Sequence, residues 1–295
     1  MRGAVLSVIV LIAVLGVLFV AHVAVQTYRG ELSDFERTPP AQITRHPQQT
    51  GIAGLEETSF PGEAGLQLAA WYAPPRNRAA VVLVHGTNSD RSSLLPEARL
   101  LAAAGFGVLA LDMPGQGMSA GQTRWAQGEV RAISAAVDWL SARAEVDSGR
   151  IGAFGLSYGG YMLLQAAAHD ARLRAVVLAS TPYDLDDQAW RANARWGVLS
   201  SLPAVWLMHR FRGAVNDLAP LEAIRALSPR AVFVLCGERD STVPGAACER
   251  LFAAAGPPKE LWIMPRAGHA DFSDVAPGEY ARRLTGFFQR ELLLP

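Results

Sequence analysis

Short apolar runs alternate with helix-periodic segments from about residue 80 onward, and this alternation restricts the fold more than any other feature of the chain. Ala80 to Val84, Gly107 to Leu111, Arg150 to Phe154, Leu173 to Leu178, Ala231 to Cys236 and Glu260 to Met264 read as strands. A strand wetted on one side alternates in polarity. Runs such as Val81-Val82-Leu83-Val84 do not, so both their faces must be covered. Leu94 to Ala104, Trp125 to Arg143, Ser157 to His169 and Tyr280 to Leu293 read as helices. In the second of these, Val130, Ile133, Val137 and Leu140 recur at helical spacing. The expected class is α/β, a mostly parallel central sheet with helices on both faces. Gly54 to Phe60 and Leu66 to Trp71, around Pro61-Gly62, predict an antiparallel pair at one edge.

Two stretches break the alternation. Ala4 to Val25 is a run of apolar and neutral residues without Asp, Glu, Lys or Arg. At about 1.5 Å per residue it is long enough to cross a bilayer core of roughly 30 Å. A cleaved signal peptide is the competing reading. Its apolar stretch is shorter, about 7–15 residues, and ends in a small-x-small site, which is poorly matched here by Ala21 and Ala24. The segment is therefore expected to be an uncleaved anchor. Arg2 precedes it, and Arg29, Glu31, Asp34, Glu36 and Arg37 follow, so positive charge favours a cytoplasmic N-terminus. The expected organisation is a membrane helix over residues 1–25, a tether over 26–49 and one domain over 50–295. The domain would carry a small helical lid over residues 182–225. Its two helices are expected at Asp186 to Ala194 and Ser201 to Phe211, rich in Trp190, Trp196, Trp206, Met208 and Phe211. An insertion at that point belongs over the carboxyl ends of the strands, where open parallel sheets bind ligands.

The charge balance excludes one class of partner. Lys plus Arg and Asp plus Glu each number 27, and the net charge is zero, unlike a nucleic-acid-binding surface. The two cysteines, Cys236 and Cys248, are too few for a disulfide framework or a four-ligand zinc site. They read as buried thiols, with one bridge as the alternative. There is no His-Glu-x-x-His or Cys-x-x-Cys run, and Gly115-Gln116-Gly117 does not open a helix after the first strand, so neither a metal nor a dinucleotide cofactor is expected.

The chemistry centres on Gly155-Leu156-Ser157-Tyr158-Gly159. The run follows a strand and precedes a helix, the setting in which a serine on a sharp turn presents its hydroxyl above the sheet. Gly155, Gly159 and Gly160 keep the approach of strand and helix free of side chains. A serine needs a base. Of six histidines, His22 lies in the membrane segment, His46 in the tether, His169 at a helix end and His209 in the lid. His269 follows the last strand and is the expected base, while His85 is better placed to order its own loop. Asp240, just beyond the penultimate strand, is the expected orienting acid, ahead of Glu238; Asp271 is expected to hold the His269 loop and Asp112 to brace its neighbours. Backbone N–H groups of Tyr158 and of Thr87, with Asn88 second, are the candidate oxyanion donors.

Taken together, His85-Gly86, Asp112-Met113-Pro114-Gly115-Gln116-Gly117-Met118-Ser119, Gly155 to Gly160, Gly237-Glu238-Arg239-Asp240 with Val243-Pro244, and Gly268-His269 resemble the α/β-hydrolase superfamily. Within it the chain is similar to the serine aminopeptidase-like, lysophospholipase-like and dipeptidyl-peptidase-related branches, over about residues 56–292. The order Ser157, Asp240, His269 is the one the resemblance implies. Met113-Pro114 stands where those relatives commonly have a residue and arginine, a change in a structural loop. The resemblance implies an α/β-hydrolase fold and a serine hydrolase working through an acyl-enzyme. The apolar lid and the membrane segment favour a small-molecule or lipid-like carboxylic ester as substrate. A peptidase or amidase with the same triad, and a non-catalytic scaffold on this fold, are the alternatives.

Overall fold

The computed structural model describes residues 2–35, 46–123, 127–211 and 218–294. Its strands are β1 (Glu56–Pro61), β2 (Gln67–Ala73), β3 (Ala80–Val84), β4 (Gly107–Leu111), β5 (Ile151–Leu156), β6 (Leu173–Ala179), β7 (Ala231–Gly237) and β8 (Lys259–Met264). Its helices are α1 (Arg2–Phe35), α2 (Leu95–Ala103), α3 (Gln127–Ser141), α4 (Tyr158–His169), α5 (Leu185–Ala192), α6 (Val198–Phe211), α7 (Pro220–Arg225), α8 (Gly245–Ala254), α9 (Phe272–Val275) and α10 (Pro277–Leu293). The chain divides into two compact units, Met1–Glu36 with Leu185–Arg212, and Arg37–Asp184 with Gly213–Pro295.

The larger unit holds one eight-stranded sheet in the order β1-β2-β4-β3-β5-β6-β7-β8. From β4 to β8 every neighbour is parallel, whereas β2 runs antiparallel to both β1 and β4. The apolar runs behave as their composition requires: every residue of β3, β4 and β7 is buried. Val81 and Leu83 on one face of β3 join Phe154, Phe233, Phe287 and Phe288 in a single cluster. Burying each such side chain contributes about 1.5–3 kcal/mol. The cluster is sealed by α10, whose Tyr280, Leu284, Phe287, Phe288 and Leu292 form a buried stripe while Arg282 and Glu279 stay outside. Tyr280 Oη donates to Glu97 Oε1 at 2.6 Å, tying α10 to α2.

The smaller unit holds α1, α5 and α6. Helix α1 contains an 18-residue window, Ile9–Gln26, with mean hydropathy 2.6, long and apolar enough to cross a membrane. Phe19 meets Trp196 edge-to-face with ring centroids 5.3 Å apart. Helices α5 and α6 are joined by Ser201 Oγ donating to the Trp190 carbonyl at 2.9 Å and by His209 Nε2 beside Asp186 Oδ1 at 2.9 Å.

Four expectations are adjusted. Helix α1 runs on to Phe35, so residues 26–35 are helical rather than an irregular tether. A helix can form without an apolar period where propensities are tolerable, and the charged residues after Gln26 supply them. Residues 36–45 of the tether, and the start of the helix placed at Trp125, lie outside the described residues. Helix α6 starts at Val198, three residues before the expected Ser201, with Pro203 inside it. Beyond it, α7 belongs to the larger unit, where Gln165 Nε2 on α4 donates to the Leu218 carbonyl at 3.0 Å. The cysteines are not two thiols: Cys236 on β7 and Cys248 on α8 form a disulfide with Cα atoms 6.5 Å apart. That bridge depended on α8, an Ala-rich helix whose few buried residues, Ala247, Cys248 and Leu251, make a faint periodic signal.

Candidate active site

Parallel pairing brings the carboxyl ends of β5, β6, β7 and β8 side by side, and the four loops that follow carry the polar side chains. At β5 the ladder extends one residue past the strand, because Ser157 N donates to the Ala179 carbonyl of β6 at 2.8 Å. Helix α4 starts at the next residue, so the chain turns on Ser157 alone. It does so at φ 54° and ψ −120°, a conformation that costs a non-glycine residue on the order of 1–3 kcal/mol. The turn is this tight only because a side chain is missing on each side. A Cβ on Gly159 would strike the Val84 and His85 carbonyls, and one on Gly160 would strike Thr181 Oγ1.

His269 and Asp240 meet after β8 and β7. His269 Nδ1 lies 2.8 Å from Asp240 Oδ2, with the carboxylate fully buried and the imidazole about one-third exposed. Burial alone would push the Asp240 carboxyl up. Hydrogen bonds from His269, the Val243 N–H and Ser180 outweigh it and hold the group below its ordinary value. An ionised carboxylate can only accept, so Nδ1 carries a proton, and in the neutral imidazole the lone pair is then on Nε2. The same Oδ2 accepts from Ser180 Oγ at 2.7 Å, while Oδ1 accepts from the Thr242 and Val243 N–H groups at 2.8 Å each.

Ser180 is absent from the sequence reading. It ends β6 at φ 44°, and its own N–H donates to the Leu235 carbonyl of β7 at 2.8 Å. A serine after an apolar strand, 60 positions from its partner, carries no local signal of that contact. The conformation marks it, since positive φ is uncommon outside glycine.

The remaining candidates occupy supporting positions. Both ring nitrogens of buried His85 are committed to the backbone: Nδ1 to the Gly86 carbonyl at 2.7 Å and Nε2 to the Met113 N–H at 3.1 Å. Burial pushes its imidazole below the ordinary range, so it stays neutral. Asp112 accepts from the Arg91 and Met118 N–H groups at 2.7 Å each, and pairs with the Arg91 guanidinium. A Cβ at Gly117 (φ 52°) would overlap that carboxylate. Asp271 accepts from the Gly268 N–H at 2.7 Å beside His269, and Glu238 accepts from the Arg266 N–H at 2.9 Å. Thr87 is half-buried in the loop after β3, beside Gly86, where an added Cβ would lie 3.6 Å from Ser157 Cβ. Tyr158 opens α4. Among the described residues no group of three or more His, Cys, Asp or Glu could hold a metal ion.

Known proteins resemble the chain over most of its length. The model of the prolyl oligopeptidase family matches residues 92–294. An uncharacterized protein of Pseudomonas aeruginosa, PA2218, is 31% identical over 80% of each chain. Its solved structure superposes with a TM-score of 0.64 over 85% of this chain and 99% of its own, at 27% identity. An uncharacterized protein of Mycobacterium tuberculosis, Rv2307c, is 30% identical over 70% of this chain and 69% of its own. The Pyrococcus furiosus esterase Pf2001 shares the fold, with a TM-score of 0.74 over 88% of this chain and 98% of its own, at 22% identity. On this sheet order, on the run around Ser157 and on a family match that covers most of the chain, the protein belongs to the prolyl oligopeptidase family, hydrolases built on the α/β-hydrolase fold.

Proposed function

We propose that the protein is a serine hydrolase of carboxylic esters, with Ser157 as nucleophile, His269 as base and Asp240 as orienting acid. The observation that carries the reading is the hydrogen-bonded series Ser180–Asp240–His269, held on the same sheet edge as the strained turn of Ser157. In this reading His269 Nε2 takes the hydroxyl proton as Ser157 Oγ attacks the carbonyl carbon. The N–H groups of Thr87 and Tyr158 receive the oxyanion. His269 passes its proton to the departing alcohol, leaving an acyl-serine. Water then attacks, giving a proton to His269, and the acid leaves as the proton returns to Ser157.

The exposed aromatic and aliphatic side chains of α6, beside a helix of membrane-crossing length, support an ester or lipid-like substrate over a peptide. The family match supports the second reading, a peptidase or amidase using the same residues. The N-terminal helix is read as an uncleaved anchor with the larger unit outside the cytoplasm. The Cys236–Cys248 disulfide supports that side, because such bonds persist in oxidising compartments.

A fluorophosphonate probe should label the wild type and not Ser157→Ala, and the substitution should lower turnover by a factor on the order of 10⁴ or more. Absence of labelling in folded wild-type protein would leave a non-catalytic scaffold. Faster turnover of aminoacyl amides than of p-nitrophenyl acyl esters would favour the peptidase.

A further inference from the structure

Helix α6 carries apolar side chains on its exposed side as well as its buried one. Ser201, Ala204, Leu207 and Met208 face inward and are buried. At 100° per residue, Val198, Leu199, Leu202 and Trp206 fall together on the opposite side. There Val198 is 59%, Leu202 58% and Trp206 63% exposed. Leaving such a side chain in water forgoes about 1.5–3 kcal/mol of transfer free energy, so a soluble protein seldom lines them up on one face.

The neighbouring element identifies the cover. Helix α1 packs against α6, and Phe19 of α1 meets Trp196 just before α6. Helix α1, too, exposes apolar side chains, from Ile9 to Val20. Asp187 pairs with Arg191 on α5, while on α6 the polar residues of this side come at its C-terminal end, where His209, paired with Asp186, and Arg210 follow Trp206. The Arg195 guanidinium stands over the Trp196 ring, 5.3 Å from its centroid. Tryptophan with arginine at the margin of an apolar surface is the composition of a membrane–water boundary.

We propose that the exposed face of α6, Val198-Leu199-Leu202-Trp206, is a second membrane contact that lies in the acyl region of the bilayer beside α1. The insertion is then held by lipid as well as by the anchor. The surface requires α1 to reside in the membrane and is independent of which bond Ser157 attacks.

Tryptophan quenching by brominated lipid tests it. The full chain is reconstituted into phosphatidylcholine vesicles with or without bromine on the upper acyl chain. The fluorescence of Trp206 is taken as the difference between wild type and Trp206→Phe, a variant whose unfolding midpoint should match the wild type. Brominated lipid should reduce this difference signal by roughly half or more, as expected for a ring 5–10 Å below the headgroups. An unquenched Trp206 in protein that resists alkaline carbonate extraction would overturn the proposal. So would loss of the protein to the carbonate wash, which removes the anchor the surface continues. Shielding of Trp206 that grows with protein density and ignores bromination would assign the face to a second copy, and would also overturn it.

Discussion

In the proposed mechanism Ser180 is a positioning residue for the Asp240–His269 pair. Its hydroxyl and the His269 imidazole share one carboxylate oxygen of Asp240. A hydrogen bond to a charged acceptor contributes about 1.5–3 kcal/mol, so Ser180→Ala should lower kcat by roughly tenfold with KM unchanged. Ser180→Gly should be equally slow yet more stable than Ser180→Ala, since glycine accepts φ 44° without strain. The pH dependence has a definite sign. Asp240 is held below its unfolded value, so its contribution to stability is present above that value and is lost as pH falls through the folded one. Removing the Ser180 donor raises the folded value, and acid unfolding should begin at higher pH. Equal kcat for wild type and both variants would refute this positioning role. At this scale Ser157, Asp240 and His269 were legible because each sits where a strand run ends, in a short recognisable string. Ser180 was not, because its meaning lies in a partner brought from a distant strand.

Among the elements, the α2–α10 pair makes a similar point. Burial pushes the Glu97 carboxyl up, against the lowering effect of the Tyr280 hydroxyl and the helix backbone. The folded state therefore holds the proton more tightly than the unfolded one. The stability this contributes is complete below the unfolded carboxylate value, about 4.3, and is lost as pH rises through the folded one. Glu97→Gln keeps an acceptor for Tyr280 and carries no charge. Its urea midpoint should exceed that of the wild type at pH 8, and the difference should shrink toward pH 4. No pH dependence in the difference would contradict a buried ionising Glu97. The strands β3 and β4 coincide with their sequence ranges, because five consecutive apolar residues admit little else in an α/β setting. Helices α7, α8 and α9 went unread because each is short and buries three residues or fewer.

For the whole molecule, the proposed anchor places the larger unit outside the cytoplasm. Protease added to intact cells should degrade that unit only if it lies outside the cytoplasm, while a cytoplasmic marker survives. Its survival until the cells are permeabilised would reverse the orientation drawn from Arg2 and the charges after Gln26. The disulfide offers a parallel measure. Thiol blocking before lysis should leave Cys236 and Cys248 unmodified if the unit matures in an oxidising compartment.

The alternation of apolar runs determined the parallel sheet, and the string around Ser157 determined the strained turn at the carboxyl end of β5. Both are local: strand burial and a strained turn impose their residue types on adjacent positions. Tertiary structure alone decided the disulfide, the Ser180–Asp240 bond and the packing of α1 on α6. Each joins positions whose composition is ordinary, and folding gives them meaning by setting their side chains within reach.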